Sequence, residues 1–191
     1  MTKEPKKALG FVTIQIVQKD LLRLAAQEQT FRELFGSENS EKILNAAAPN
    51  TFAIIQDVLR QEITLGITRT LIDPAVQGNY KNLGLETIVQ RMPGDNQDLI
   101  DRIVQLRQKY EPINDIRRKL RAHRDEKTAY DIEYRQNVES WSINDELIFE
   151  AINDMKDVMN EITKRIYNSK FEGNFVGLDA EKLLKTLASA V

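Results

Sequence analysis

Apolar residues recur at steps of three and four along most of this chain, and this spacing constrains the fold more than any other feature. In the first long stretch, about residues 9–35, the series ends at Gly36. A helix turns about 100° per residue, so residues spaced in this way share one face. The pattern predicts an all-α helical bundle in which each amphipathic helix buries one side.

Capping residues, prolines and glycines set the other predicted boundaries. We expect one domain, 1–191, with four to five long helices, short flanking helices and no strand, and with 171–191 appended as a loop and a short helix. In the first half of the chain, the remaining predicted elements are a short helix between Ser40 and Pro49, a long helix from Asn50 or Thr51 to about Ile72, a loop at 73–83 and a short helix at about 84–91. A long helix follows from about Asn96 through the 120s, with a kink allowed at Pro112. The last predicted elements are a polar stretch at 131–141, a long helix capped by Ser142 and a short helix from Asp179.

Composition and charge exclude several broad classes of protein. The chain has no cysteine, so disulfide scaffolds, thiol nucleophiles and Cys-ligated metal sites are excluded. The 27 basic and 29 acidic residues are nearly balanced, which is unlike a dedicated duplex-DNA binder. The apolar run 11–17 is short, contains Thr13 and Gln15 and is followed by no small-residue cleavage site, so it does not suit a signal peptide. No segment approaches the ~18 apolar residues of a membrane span. We therefore expect a cytoplasmic protein without a membrane partner.

A basic cluster surrounds the only histidine, and one of its arginines occupies a core-facing position. Five of the eight residues at 117–124 are Arg or Lys, and such a cluster can bind phosphate. Arg117 lies roughly 40° from the apolar Ile113, where a core residue is expected, whereas Arg118 lies roughly 140° away and is expected to face solvent. A charge on the core side is costly unless it is paired or lines a site or an interface. The apolar series of this helix is Leu99, Ile103, Leu106, Tyr110, Ile113 and Leu120.

Arg117 and His123 together suit metal-independent cleavage of RNA. An unperturbed imidazole has a pKa near 6.5 and can transfer the proton, while a guanidinium can hold the scissile phosphate. Attack by the ribose 2′-OH would leave a 2′,3′-cyclic phosphate. The two residues lie about 9 Å apart along the helix axis and roughly 120° apart around it. Two copies of the chain would form a more complete site, so we expect a homodimer.

Five further residues are candidates for substrate binding or support. Lys119 is expected to contribute only to the local positive field, and Arg121 suits a solvated side chain. Arg124 either binds phosphate or pairs with Asp125 or Glu126, and Asp125 either orients the active pair or forms a surface ion pair. The five candidates are Arg118, Lys119, Arg121, Arg124 and Asp125.

The cluster also has plainer explanations. His123 could be an exposed or helix-capping residue, and Arg117 could form an ion pair, for example with a glutamate of the last long helix or across a structural dimer. A different class of function is a non-catalytic helical module that binds RNA, a nucleotide or a protein partner through the basic 117–124 face. No metal or cofactor is expected, because one histidine cannot complete a di-iron site and no P-loop, GxGxxG or GxSxG motif is present.

The string RRKLRAHRD at 117–125 resembles the HEPN superfamily, whose mark is an arginine separated by four to six residues from a histidine on a bundle helix. Five residues separate Arg117 from His123, and four separate Arg118 from His123. Arg118 stands where many members carry Asn or Asp, which often orients the site. The string is most similar to abortive-infection AbiU-type proteins. The resemblance implies a metal-independent ribonuclease, often dimeric, that acts in phage defence or as a toxin, with an antitoxin or defence protein as a partner.

Overall fold

The computed structural model describes residues 4–122, 145–171 and 179–190, and its side chains are described for 11–118, 145–171 and 179–190. The predicted all-α class is confirmed, because helices account for most of these residues. The described helices are α1 (Glu4–Phe35), α2 (Glu38–Ala47), α3 (Pro49–Ile67), α4 (Leu85–Arg91), α5 (Gln97–Lys109), α6 (Glu111–Ala122), α7 (Asp145–Tyr167) and α8 (Ala180–Ala188).

Local chemistry explains how the first helices begin and end. A Cβ at Gly36 would lie 2.4 Å from the Arg32 carbonyl oxygen, so only glycine fits directly after α1. Ser37 caps α2, and its side chain accepts a hydrogen bond of 3.1 Å from the Ser40 N–H. α3 begins at Pro49, where a missing N–H costs nothing, so the predicted cap at Asn50 or Thr51 is wrong.

The segment between α3 and α4 is more ordered than the loop that was predicted for 73–83. α3 continues as a π-helical turn over Thr68–Ile72, and two short strands follow, β1 (Val76–Gln77) and β2 (Tyr80–Lys81). The strands pair antiparallel, and Gly78 has a φ of 59°, which glycine adopts readily in a tight turn. The expectation of no strand is therefore wrong here, because strands of two residues are too short to show a period of two.

The long helix predicted from Asn96 through the 120s is two helices in the structure. The break lies at Tyr110, which has φ −101° and ψ 15°, rather than at Pro112. Pro112 has no N–H to donate to the Gln108 carbonyl, and it is accommodated in the first turn of α6 instead. The apolar series nevertheless continues across the break, because Tyr110 and Ile113 are both fully buried.

The core lies between α7 and the helices of the first half of the chain. The predicted apolar face of α7 is confirmed, since Ala151, Met155, Val158 and Ile162 are fully buried. α8 packs against α1 and α2, and Ala180 joins the same apolar cluster. The polar stretch 131–141, the cap Ser142 and the loop at 172–178 lie outside the described residues.

Carboxylates paired across the bundle make its stability depend on pH. Burial raises the pKa of Asp154, but hydrogen bonds from the Tyr110 hydroxyl and the Lys109 ammonium outweigh it and hold this pKa below its ordinary value. The hydrogen bonds from the Arg165 guanidinium lower the pKa of Asp98 to about 2. A carboxylate whose pKa is lowered by folding stabilises the folded state at pH values above its pKa in the unfolded chain. This stabilisation is lost as the pH falls through the pKa of the same carboxylate in the folded state.

We therefore expect the free energy of unfolding to stay level between about pH 7 and pH 5 and to decrease between about pH 4.5 and pH 2. Urea unfolding at half-unit pH intervals measures this. The matched variant Asp154→Asn should show a shallower decrease, because it removes one of the carboxylates whose pKa folding lowers. A free energy that is flat or rises toward pH 3 in the wild-type protein would contradict the assignment of these ion pairs.

Candidate functional site

Arg117 faces the bundle and forms an ion pair with Asp73, the residue that follows the π-helical turn. Its Nη1 lies 2.7 Å from Asp73 Oδ1, and the two side chains are only 13% and 16% exposed. The charge on the core side of α6 is therefore compensated, as its position requires. The partner is not a glutamate of the last long helix, which was the example considered from the sequence, but an aspartate 44 residues earlier in the chain.

The Asp73 ion pair uses only part of the hydrogen-bonding capacity of Arg117. A guanidinium carries five N–H donors, and the bond to Asp73 is the one it makes within the described residues. The Arg117 Nε is buried and has no hydrogen-bond partner among those residues. Arg117 is thus fixed by one carboxylate, and part of its hydrogen-bonding capacity is unused within the described residues.

The backbone around Asp73 is itself held by a second arginine. The Asp73 N–H donates to the Thr68 carbonyl at 2.8 Å, which closes the π-helical turn. Arg107 of α5 donates from Nη2 to the Asp73 carbonyl at 3.2 Å and from Nε to the Leu71 carbonyl at 3.0 Å. The position of the Asp73 side chain therefore depends on contacts from a neighbouring helix.

Glu86 of α4 completes this support. Its Oε2 accepts hydrogen bonds from Arg107 Nη2 at 2.5 Å and from the Ala75 N–H at 2.9 Å. Burial raises the pKa of Glu86, but these hydrogen bonds and the Arg107 charge outweigh it and lower the pKa below its ordinary value. Glu86 is consequently ionised at neutral pH and fixes both Arg107 and the chain just after Asp73.

The other predicted site residues are in less constrained positions or are not described. Arg118 is 66% exposed, as expected, and lies 3.2 Å from Glu111 and 3.5 Å from Asp115. α6 contains Lys119 and Arg121, whose side chains lie outside the described residues. His123, Arg124 and Asp125 also lie outside them, beginning one residue after the end of α6. The site predictions for these residues remain predictions.

A polar cleft of about 430 Å³ lies between α1, the end of α3 and the β-hairpin, and Asp73 is one of its lining residues. α1 and α3 approach closely beside it, because a Cβ at Gly66 would lie 2.8 Å from Leu24 Cδ1. Asp73 lines this cleft and also binds Arg117, so the two features share one side chain. The charged residues that line the cleft are Asp20, Arg23, Glu62, Arg69, Asp73 and Lys81.

The sequence indicates neither the pairing of Asp73 nor the cleft. The Asp73–Pro74 pair indicates only the end of a helix, because proline disfavours helical backbone before it. The inward position of Arg117 implied a partner of opposite charge, but nothing in the sequence indicated which of the 29 acidic residues it is. That partner is set by how α6 packs against the π-helical turn.

Breaking the Asp73–Arg117 pair is expected to destabilise the fold. Asp73→Ala and Arg117→Met should each lower the free energy of unfolding by about 2–3 kcal/mol, because each leaves a mostly buried charge without its partner. The double variant should lose at least about 1 kcal/mol less than the sum of the two. Urea unfolding of all four proteins at pH 7 measures the coupling, and strictly additive losses would show that the pair does not interact.

A comparison with models of protein families matches nearly the whole chain to one family. The model of the HEPN family described as AbiU2 matches residues 16–187, from within α1 into α8. Comparisons with curated proteins and with solved structures give no significant match. Of the helices described here, none combines the length and the apolar character needed to span a membrane.

Proposed function

Because this chain belongs to the AbiU2 family of HEPN proteins, we propose that it is a metal-independent endoribonuclease of abortive infection, with Arg117 and His123 as its active pair. The family match confirms the resemblance that the string at 117–125 indicates. Membership of this family identifies the chain as a HEPN protein related to abortive infection. The reaction, the two active residues, a dimeric site and an antitoxin or defence partner are parts of the proposal.

The observation that carries the proposal is the Arg117–Asp73 ion pair. It orients a guanidinium on the inner side of α6 while other donors of that guanidinium remain without a partner in the described structure. An arginine held in this way can bind a non-bridging phosphate oxygen without reorganising. Many HEPN proteins have Asn or Asp directly after the motif arginine, where this chain has Arg118. We assign the orienting role to Asp73, which comes from a different segment.

The reaction needs a base and an acid in addition to Arg117. An imidazole accepts the proton of the ribose 2′-OH, and O2′ then attacks the adjacent phosphorus as the P–O5′ bond breaks. Arg117 compensates the charge on the phosphoryl oxygens, and a protonated imidazole gives a proton to the leaving O5′. The products are a 2′,3′-cyclic phosphate and a 5′-OH. Since the chain has one histidine, His123 of a second copy supplies the second imidazole in a homodimer.

The proposal is tested by incubating purified protein with end-labelled single-stranded RNA in excess EDTA. We expect cleavage in EDTA and products that carry a 2′,3′-cyclic phosphate and a 5′-OH. Treatment with a phosphatase that opens and removes the cyclic phosphate should shift the mobility of the 5′ fragments. Cleavage that stops in EDTA and returns with Mg²⁺, or fragments with 3′-OH ends, would contradict the mechanism.

The second candidate function is a non-catalytic module that binds RNA, a nucleotide or a protein partner through the basic 117–124 face. It is favoured by the low exposure of Arg117, since a side chain 13% exposed and bound to Asp73 also suits a structural ion pair. Such a module would bind RNA with a strong dependence on salt and form no product. The EDTA cleavage assay therefore separates the two candidates.

A further inference from the structure

The cleft beside Asp73 carries charged groups of both signs that the proposed active pair does not use. Arg23 of α1, Arg69 of the π-helical turn and Lys81 of β2 are all exposed, and none forms an ion pair with another residue of the described structure. Asp20 and Glu62 line the same cleft and are likewise without an ion pair in the described ranges. Five charged side chains therefore converge on one concave surface without neutralising each other in pairs.

We propose that this cleft binds one nucleotide of a single-stranded RNA, next to the phosphate that Arg117 holds; the proposal rests on the ribonuclease function above. A ribonucleotide carries acceptors on its phosphate and donors on its ribose hydroxyls and base amines. The three cations suit the phosphate, and the two carboxylates suit the hydroxyl and amine donors. A volume of about 430 Å³ lies within the range typical of small-molecule sites.

Asp73 places the cleft next to Arg117. This residue lines the cleft, and its Oδ1 lies 2.7 Å from Arg117 Nη1. A strand with one nucleotide in the cleft would therefore have an adjoining phosphate in reach of the same region of α6. An unpaired strand fits this arrangement, because its bases and sugar hydroxyls are accessible to side chains.

The side of the cleft that contains Lys81 is hydrogen-bonded to the segment directly before the β-hairpin. Asn82 donates from Nδ2 to the Pro74 carbonyl at 2.8 Å and from its backbone N–H to the Ala75 carbonyl at 2.9 Å. A Cβ at Gly84 would lie 2.8 Å from the Thr70 carbonyl oxygen, so glycine lets the chain after the hairpin approach the π-helical turn. Lys81 and Arg69 are thus held on one preformed surface, which reduces the entropic cost of binding.

Binding is measured by fluorescence anisotropy with a labelled 20-nucleotide RNA of mixed sequence and with DNA of the same sequence. The parent protein carries His123→Ala, so that the proposed reaction does not consume the RNA. In that parent, the cleft variant combines Arg23→Gln, Arg69→Gln and Lys81→Gln. The control variant makes the same change of net charge at exposed lysines outside the cleft, namely Lys42→Gln, Lys164→Gln and Lys170→Gln.

We expect the cleft variant to bind RNA at least tenfold more weakly than the parent, and the control variant to stay within twofold of it. The slope of log affinity against log salt should become shallower by about 0.7 in the cleft variant, because about 0.7 is lost for each phosphate contact removed and the cleft holds one phosphate. The DNA should bind more weakly than the RNA to the parent. Circular dichroism and thermal unfolding establish that both variants are folded.

The outcomes separate this proposal from the proposed function. Equal affinities of the cleft and control variants would overturn the cleft assignment, even if His123→Ala had abolished cleavage. Continued cleavage by the His123→Ala parent would contradict the assignment of Arg117 and His123 as the active pair. A selective loss of affinity in the cleft variant would still support the cleft as an RNA-binding site. DNA binding as tight as RNA binding would overturn the assignment of ribose hydroxyls to the carboxylates.

Discussion

His123→Ala is expected to reduce the rate of RNA cleavage by roughly 10²–10⁴-fold, the range that a general acid or base contributes. The expected loss is large because His123 is the only histidine of the chain, so no other imidazole can accept or give the proton near neutral pH. In a homodimer, the substitution removes the proposed base and the proposed acid together. Initial rates on end-labelled RNA in EDTA at pH 7 measure the effect.

The fold of the His123→Ala protein is checked in the same preparation. Far-UV circular dichroism, thermal unfolding and size-exclusion chromatography should match the wild-type protein. A rate within threefold of the wild-type value in a correctly folded variant would exclude His123 from the chemistry.

Arg117→Lys is expected to lower kcat by at least roughly 10²-fold, the scale at which one stabilising donor acts on a transition state. Lysine keeps the charge but lacks the planar fork, so it cannot hold Asp73 and a phosphate oxygen in the fixed geometry that a guanidinium provides. The matched control is Arg118→Lys, the same substitution one residue later on the exposed side of α6. Its kcat should remain within threefold of the wild-type value.

The reverse pattern would assign the active arginine to Arg118, which also has a HEPN spacing to His123, and would leave Arg117 with a structural role. Asp73→Asn provides an independent test of the positioning role. It keeps the size of the side chain and removes the charge that orients Arg117, so kcat should fall while KM changes little. Unfolding in urea shows whether any loss of activity merely follows a loss of stability.

The helices could be predicted from the sequence because their signals are local. Gly36 ends α1 as expected, and the buried face of α7 follows the predicted spacing. The errors arose where several signals compete within a few residues. The break at Tyr110 rather than Pro112 depends on how proline fits a first helical turn, and the hairpin at 76–81 is too short for a periodic pattern.

The candidate site could be predicted only in part, because it combines distant segments. The gap in the apolar series at Arg117 was enough to predict an inward charge, and the structure places that side chain inward. The identity of Asp73 as its partner depends on the packing of α6 against the π-helical turn. The cleft joins Arg23, Arg69 and Lys81 from three separate segments, and no spacing along the chain connects them.

The most direct measurement of whether Arg117 and His123 act as one active pair is the cleavage rate of the double variant Arg117→Lys/His123→Ala, compared with both single variants in EDTA. Residues that serve the same transition state have strongly non-additive effects. We predict that the double variant cleaves RNA about as slowly as the slower single variant. Losses that multiply in the double variant, or a double variant that still cleaves at the wild-type rate, would contradict the account.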